Sequence, residues 1–484
     1  MLQPSALAGR RAVVVLCLAV VACGGNGDDD DPPPPGTFRV SVVLTDPSLL
    51  ATRGGTLFKV VDADGRTVAV AGVPSSWNSY CASGPTDLHF FVQPVEEAPY
   101  EVRRLPKPDA SLRTSYAFPA ADGVYVDDLA NDRQFRLAVN EGAAQFQAVS
   151  SQARLGCAEY RVGAVTYRWA PGEIRACTRH DQQEQCDAIP IRAETFPYAY
   201  GEAGGNTVVV TNWGEVLMHR RRGWCRASPQ GEAFRCVEGE PGPQLEAPRG
   251  FQFYSSIKYR GHTLLGRWPG GELYRFDGQT LSRWNESPTL PPGPLTDVSE
   301  AQSMSLYCGD LHVGYWPRGD RWVKAYGTGA WMHQGRAFTH PLADAPAIPY
   351  LGAEPEGAEW AFFGQRITSM APFGDSLYLA TSNLRNWSKG VHLPSYLAPE
   401  QVDEYGSILA LRRGGCASGQ ARYQDYAPVH FDISADKIRI RQHGVTLGEA
   451  AHRLGSSART WRIVRTTEVF GEPMEVHVLA ARAY

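Results

Sequence analysis

Gly205-Asn206-Thr207-Val208-Val209-Val210, Gly261-His262-Thr263-Leu264-Leu265-Gly266, Gly309-Asp310-Leu311-His312-Val313-Gly314 and Gly374-Asp375-Ser376-Leu377-Tyr378-Leu379 are four versions of one phrase. Each opens on a turn glycine and runs into a short apolar strand. In the first three a Gly-rich turn and a second strand follow: Glu215-Val216-Leu217-Met218-His219, Glu272-Leu273-Tyr274-Arg275-Phe276 and Arg321-Trp322-Val323-Lys324. A tryptophan then closes the unit, at Trp224, Trp284 and Trp331. The openings lie 56, 48 and 65 residues apart, a period that suits four-stranded units with variable loops. Phe276-Asp277-Gly278-Gln279-Thr280-Leu281 adds a tight Asp-Gly hairpin inside one unit. The expected fold is therefore all-β, a β-propeller of seven blades, with the tryptophans packing between blades.

Outward from these repeats the pattern holds. Strands of four to seven residues alternate with Gly, Pro, Asp and Asn turns, and helical periodicity is almost absent. The propeller is expected to span 38–484. Residues 38–110 form either its opening blade or a small β domain, and Thr56-Leu57-Phe58-Lys59-Val60-Val61-Asp62-Ala63-Asp64-Gly65 reads as a blade hairpin. About 447 residues follow position 37, enough for one large β domain.

The N-terminus has a different character. Arg10 and Arg11 precede an apolar run, Ala12 to Ala22, too short to span a bilayer. The run ends Val20-Val21-Ala22-Cys23, which resembles the lipobox of bacterial lipoproteins. That resemblance implies a signal peptide over 1–22, lipidation of Cys23 and anchoring to a membrane. Gly24 to Asp31 is glycine, asparagine and aspartate, and Pro32 to Pro35 is four prolines. Such a segment stays solvated, so 23–37 is read as a tether. Gly24 after the cysteine favours the outer membrane, on its periplasmic face or at the cell surface.

Hydrophobic residues make up 43% of the chain and its net charge is −4, which fits a globular body. A basic excess for nucleic acid is lacking. Of the cysteines, Cys81, Cys157, Cys177, Cys186, Cys225, Cys236, Cys308 and Cys416 remain beyond position 23, an even number that reads as a disulfide set in an exported chain. Cys177 with Cys186 and Cys225 with Cys236 are close enough to staple single hairpins. No C-x-x-C spacing supports zinc, no motif supports calcium, and no cofactor is expected. Six of the 47 basic residues are lysine and the rest arginine, the residue suited to two-point binding of carboxylate and sulfate.

There is no G-x-S-x-G elbow, no H-E-x-x-H and no S-x-D-x-G-x-x-W box. Tyrosine, histidine and arginine are instead dense between 253 and 340. Such a set suits β-elimination of a uronic-acid polysaccharide. Arginine stabilises the enolate-like intermediate, a histidine or tyrosine takes the C5 proton, and a second group donates to the leaving oxygen.

Phe253-Tyr254-Ser255-Ser256-Ile257-Lys258-Tyr259 and Leu264-Leu265-Gly266-Arg267-Trp268-Pro269-Gly270-Gly271-Glu272-Leu273-Tyr274 resemble propeller-type polysaccharide lyases, in particular ulvan lyases. So do Glu300-Ala301-Gln302, Gly309 to Pro317 and Gly364-Gln365-Arg366-Ile367-Thr368-Ser369-Met370. The likeness covers 200–385. It implies a seven-bladed propeller that cleaves a sulfated, uronate-containing polysaccharide. It also implies His219 and Tyr259 as the acid–base pair, Arg275 on the carboxylate and Tyr315 as a substrate contact, with Tyr200, His262 and His312 as further contacts. The family pattern places a second histidine about one strand before His219, where this chain has Tyr198 and Tyr200. The alternative is a non-catalytic propeller lipoprotein that binds glycan or protein; a third reading is an assembly scaffold. A monomer is expected, with an anionic polysaccharide as partner.

Overall fold

The computed structural model describes strands and short turns within 39–482. Residues 1–38, 228–251, 291–298, 340–363, 383–397 and 483–484 lie outside the described residues, as do shorter stretches between strands. Cys23, the signal segment and the tether therefore lie outside them.

Apart from one 3-10 turn, Pro399–Gly406, the described residues with regular structure are strands. They form seven antiparallel sheets of four or five strands and two of three. Three consecutive meanders carry the quoted repeats. These are Pro197–Ala203 through Gly223–Ala227, Gln252–Tyr259 through Leu281–Arg283, and Glu300–Tyr307 through Trp331–Arg336. The first strands of neighbouring sheets pack on one another, a propeller-like arrangement. The glycine phrases prove to be second strands. The first strand of each sheet precedes the phrase, and Gly309 and Gly374 lie in the turn between the two.

Alternation explains why these strands are apolar on both faces. Val216 and Met218 share a core with Val208, Val210, Phe253 and Leu265, on the side of the following sheet. Leu217 and Trp224 share another with Tyr167, Ile174 and Ile189, on the side of the preceding sheet. Each sheet is sandwiched, so both parities must be apolar. Trp224 and Trp284 are buried in such inter-sheet cores, and Trp331 packs against one.

A second repeat lies in the first strands. Each shifts register just after its start, between Pro197 and Ala199, Phe253 and Ser255, Ala301 and Ser303, and Ile367 and Ser369. A bulge of this kind re-aims the extra residue. The serine after the bulge then ties its sheet to the next. Ser255 Oγ donates to the Ala301 carbonyl at 2.7 Å, and Ser303 Oγ to the Ile367 carbonyl at 2.7 Å. Ser369 Oγ accepts from the Leu57 amide at 3.2 Å. Across from the first two serines stand Gly266 and Gly314. A Cβ on Gly266 would come within 2.3 Å of the Ala301 carbonyl oxygen, and one on Gly314 within 2.8 Å of Ile367 Cβ. Glycine there is what lets the sheets approach.

The strand Arg39–Thr45 pairs with Ser407–Arg412, completing the sheet that holds Arg366–Phe373 and Ser376–Ser382. The strands from Cys416 to Arg482 form the two three-stranded sheets, which pair only among themselves in the described residues. Disulfides link Cys177 to Cys186, opposite each other in one hairpin, and Cys308 to Cys416, 108 residues apart. Cys225 is also disulfide-bonded. Cys236 lies outside the described residues.

Candidate functional site

Each meander has two kinds of turn end. The first and third hairpin turns lie together at one end; the second turn and the start of the first strand lie at the other. The residues singled out by sequence divide between them.

At the first-and-third-turn end, Tyr259 and His262 face each other across the first hairpin, and Arg275 stands opposite Leu264 on the third strand. Register therefore puts all three on one face of one sheet. Tyr259 is buried, its ring in a T-shaped pair with Trp284 at 5.9 Å, with the Arg260 guanidinium over the ring at 5.0 Å. His262 is half-buried. Burial lowers its pKa, the Arg275 charge lowers it further, and Asp277 opposes both, so the imidazole is neutral at pH 7. Asp277 is held below the ordinary carboxylate range: burial pushes it up, but the turn amides of Thr280 and Gln279 and the Arg275 charge outweigh that. Those amides donate to Asp277 Oδ1 at 2.7 and 2.8 Å. Arg220 of the preceding sheet donates to the Gly278 carbonyl at 3.0 Å, bringing a further cation to the same turn.

His219 does not join this group. It stands on the opposite-facing side of its own sheet, beside Trp224 at 4.9 Å. Its Nδ1 lies 3.0 Å from the Tyr167 hydroxyl, and its Nε2 3.7 Å from Asp187 Oδ2. Burial lowers its pKa against the pull of Asp187. The expected His219–Tyr259 pair is thus divided between two inter-sheet cores, because odd positions in Val216–Arg220 face the preceding sheet, away from Gln252–Tyr259. Tyr200 pairs with Val209 in the backbone of the first strand of the His219 sheet.

The other turn end holds what sequence reading missed. Gln252, Glu300 and Arg366 occupy the same position in three successive first strands, opposite Trp268, Trp316 and Ser382. Arg366 Nη2 donates to Glu300 Oε2 at 2.9 Å and Oε1 at 3.2 Å, and both side chains are buried. The guanidinium lies over Trp316 at 5.8 Å. The Tyr254 hydroxyl donates to Gln252 Oε1 at 2.6 Å and also interacts with the Glu300 carboxyl. Burial outweighs the Arg366 charge and lifts the Glu300 carboxyl to about 7. Glu300 and Arg366 sat in quoted stretches, but a separation of 66 positions hid the pairing.

Acids that follow turn glycines repeat at this end too. Glu215 meets Arg226 at 3.2 Å, Glu272 meets Arg267 at 3.1 Å, and Asp320 meets His333 at 3.0 Å and Arg336 at 3.6 Å. Tyr315 is here, opposite Ala301, and so belongs to the end away from Tyr259 and Arg275. His312 is buried on the reverse face of its strand, 5.8 Å from the Tyr307 ring. It matches Leu264 in register, not His262, whose counterpart is Asp310. Cys177, Glu184 and Cys186 have metal-ligand spacing, but the two sulfurs are joined to each other.

No family model matches the chain, and no curated protein matches it. Solved structures similar to it include the extracellular domain described as that of a hybrid two-component system from B. thetaiotaomicron. That likeness has 12% identity, covers 86% of this chain and 47% of that one, and has a TM-score of 0.37. Others are a chain from YCF48 bound to D1 peptide (9% identity, 79% and 99% covered, TM-score 0.35) and a chain of a mitotic checkpoint complex (14% identity, 81% and 99% covered, TM-score 0.35). This chain spans about half the length of the first. Likenesses this distant assign no function.

Proposed function

We propose that this chain is an exported, lipid-anchored, seven-bladed propeller that binds an anionic, uronate-containing polysaccharide at the first-and-third-turn end of the sheets 197–227 and 252–283. The observation that carries this reading is the charge there. Arg220, Lys258, Arg260 and Arg275 surround those turns with His262, and Asp277 is already occupied by turn amides. Among the described residues Arg275 makes no ion pair within salt-bridge reach. A polyanion would complete this surface, and guanidinium groups suit carboxylate and sulfate in two-point contacts.

Cleavage is the second reading, and one observation favours it. Tyr259, His262 and Arg275 share a face, and His262 is in the neutral form that a base requires. In that reading His262 takes the place expected of His219. Arg275 would neutralise the uronate carboxylate, His262 would take the C5 proton, and Tyr259 would protonate the leaving oxygen.

One titration tests both. The purified protein is mixed with ulvan, alginate, pectin and a neutral glucan, while binding and the ultraviolet absorbance of an unsaturated uronate are followed. Binding to the acidic polymers only, weakened about tenfold by Arg275→Ala, is the expected result. An absorbance rise adds cleavage. Equal binding of neutral glucan, or an unchanged affinity in Arg275→Ala, overturns the proposal.

A further inference from the structure

Of the three tryptophans that close the repeats, one differs. Trp224 and Trp284 are 4% and 6% exposed, whereas Trp331 is only half-buried. Trp224 and Trp331 hold equivalent register positions on their fourth strands, opposite His219 and Lys324. The difference comes from the sheet before each. Gln183–Pro190 is eight residues long and reaches Trp224, whose Nε1 donates to the Asp187 carbonyl at 3.0 Å. The strand before Trp331, Leu281–Arg283, is three residues long. Trp331 Nε1 reaches past it to the Glu286 carbonyl, on an exposed residue, and the outer part of the ring is left to solvent.

The ring is nonetheless fixed. The ammonium of Lys324, a fully buried side chain, lies 5.6 Å from the Trp331 ring and 5.4 Å from that of Trp284, and it engages Glu286 at 3.1 Å. Trp284 meets Trp331 in a T-shaped pair at 6.2 Å. A surface held this way has little freedom to lose on binding. Glu286, the acid of the patch, is already engaged by Lys324.

The same aromatic line runs to the cationic turns. Trp284 contacts Tyr259, and the exposed Arg260 lies over the Tyr259 ring. Trp331 opens its strand just after the third turn, so it stands at the same end as Arg260 and Arg275. Guanidinium groups read charge alone. An aromatic face reads the apolar C–H face of a pyranose ring, which a simple polyanion lacks.

We propose that Trp331 is the ring-reading subsite of the polysaccharide surface, a stacking platform for one sugar ring of a chain whose carboxylates meet the arginines. This rests on the polysaccharide reading and adds to it the recognition of sugar over other polyanions.

The test is a calorimetric titration of the purified protein with ulvan, alginate and pectin, and with poly-L-glutamate as a polyanion without sugar rings. The best-bound polysaccharide should bind at least fivefold more tightly than poly-L-glutamate. Trp331→Ala should weaken that polysaccharide about fivefold and leave poly-L-glutamate unchanged, with Trp331→Phe intermediate. Arg275→Ala should weaken both polymers. Thermal midpoints establish that each variant is folded, and Trp331→Phe keeps the test open where Trp331→Ala does not fold. The indole N–H NMR signal that disappears in Trp331→Phe should shift when the polysaccharide is added to the parent. Parent-like polysaccharide affinity in both Trp331 variants, or equal loss for poly-L-glutamate, overturns the subsite while the Arg275→Ala effect leaves the polysaccharide reading standing. Absence of binding to all three polysaccharides overturns both.

Discussion

The two turn ends of the central sheets use the same residue types to opposite ends. Around the second turns, each acid after a turn glycine has a basic partner of its own, and Glu300 with Arg366 extends the habit into the buried first strands. Around the first and third turns of the sheets 197–227 and 252–283, cations gather about a single carboxylate already engaged by backbone. Arginine is thus cement at one end and, in the proposed reading, a ligand surface at the other. Its abundance in the sequence says nothing about function until each guanidinium is assigned to an end.

The largest effect should come from breaking the buried pair. Arg366→Ala at pH 8 leaves an isolated buried carboxylate and should cost about 3–5 kcal/mol by denaturant unfolding. Replacing both partners with apolar residues, Glu300→Leu with Arg366→Met, should recover most of that. If Arg366→Ala costs less than about 1 kcal/mol, the cement reading fails.

The pH dependence sharpens the same point. The Glu300 carboxyl is raised in the folded chain, from an ordinary 4.5 to about 7. Below pH 4.5 both folded and unfolded forms hold the proton. Between 4.5 and 7 the folded chain holds it more tightly, so stability falls as pH rises through that window, by about 3 kcal/mol at most. Urea midpoints measured across that range should slope downward in the parent and flatten in Glu300→Gln.

Smaller effects test the stitching between sheets. Gly314→Ala should cost about 1–3 kcal/mol, because Ile367 must shift. Ser303→Ala should cost about 0.5–1.5 kcal/mol through the orphaned Ile367 carbonyl. At the proposed ligand end, Arg275→Ala and His262→Ala should change stability by no more than about 0.5 kcal/mol, measured by thermal unfolding. A large loss there would make that end structural and erase the contrast.

Much of the architecture was readable before any coordinates. Gly309 and Gly374 mark first hairpin turns, and the Cys177–Cys186 staple followed from spacing. Those features are local, as turn chemistry and short loops are. The bulges, the serine ties and the Glu300–Arg366 pair depend on which sheet lies alongside, and no short-range pattern encodes that. His219 shows the same limit at finer scale. Its residue type suited the chemistry, but strand parity turned it toward Tyr167 and away from Tyr259. His262, expected only as a further substrate contact, is the histidine that shares a face with Tyr259 and Arg275.

The seam between Arg39–Thr45 and Ser407–Arg412 has a mechanical consequence. One side of it is clamped: Cys416, four residues beyond Arg412, is covalently bound to Cys308 in a neighbouring sheet. The other side is a strand close to the N-terminus. Tension applied along the N-terminal segment loads that seven-residue ladder before it reaches any other sheet. The ladder would act as the mechanical fuse of the body, unzipping first under such a load while the crosslinked side held.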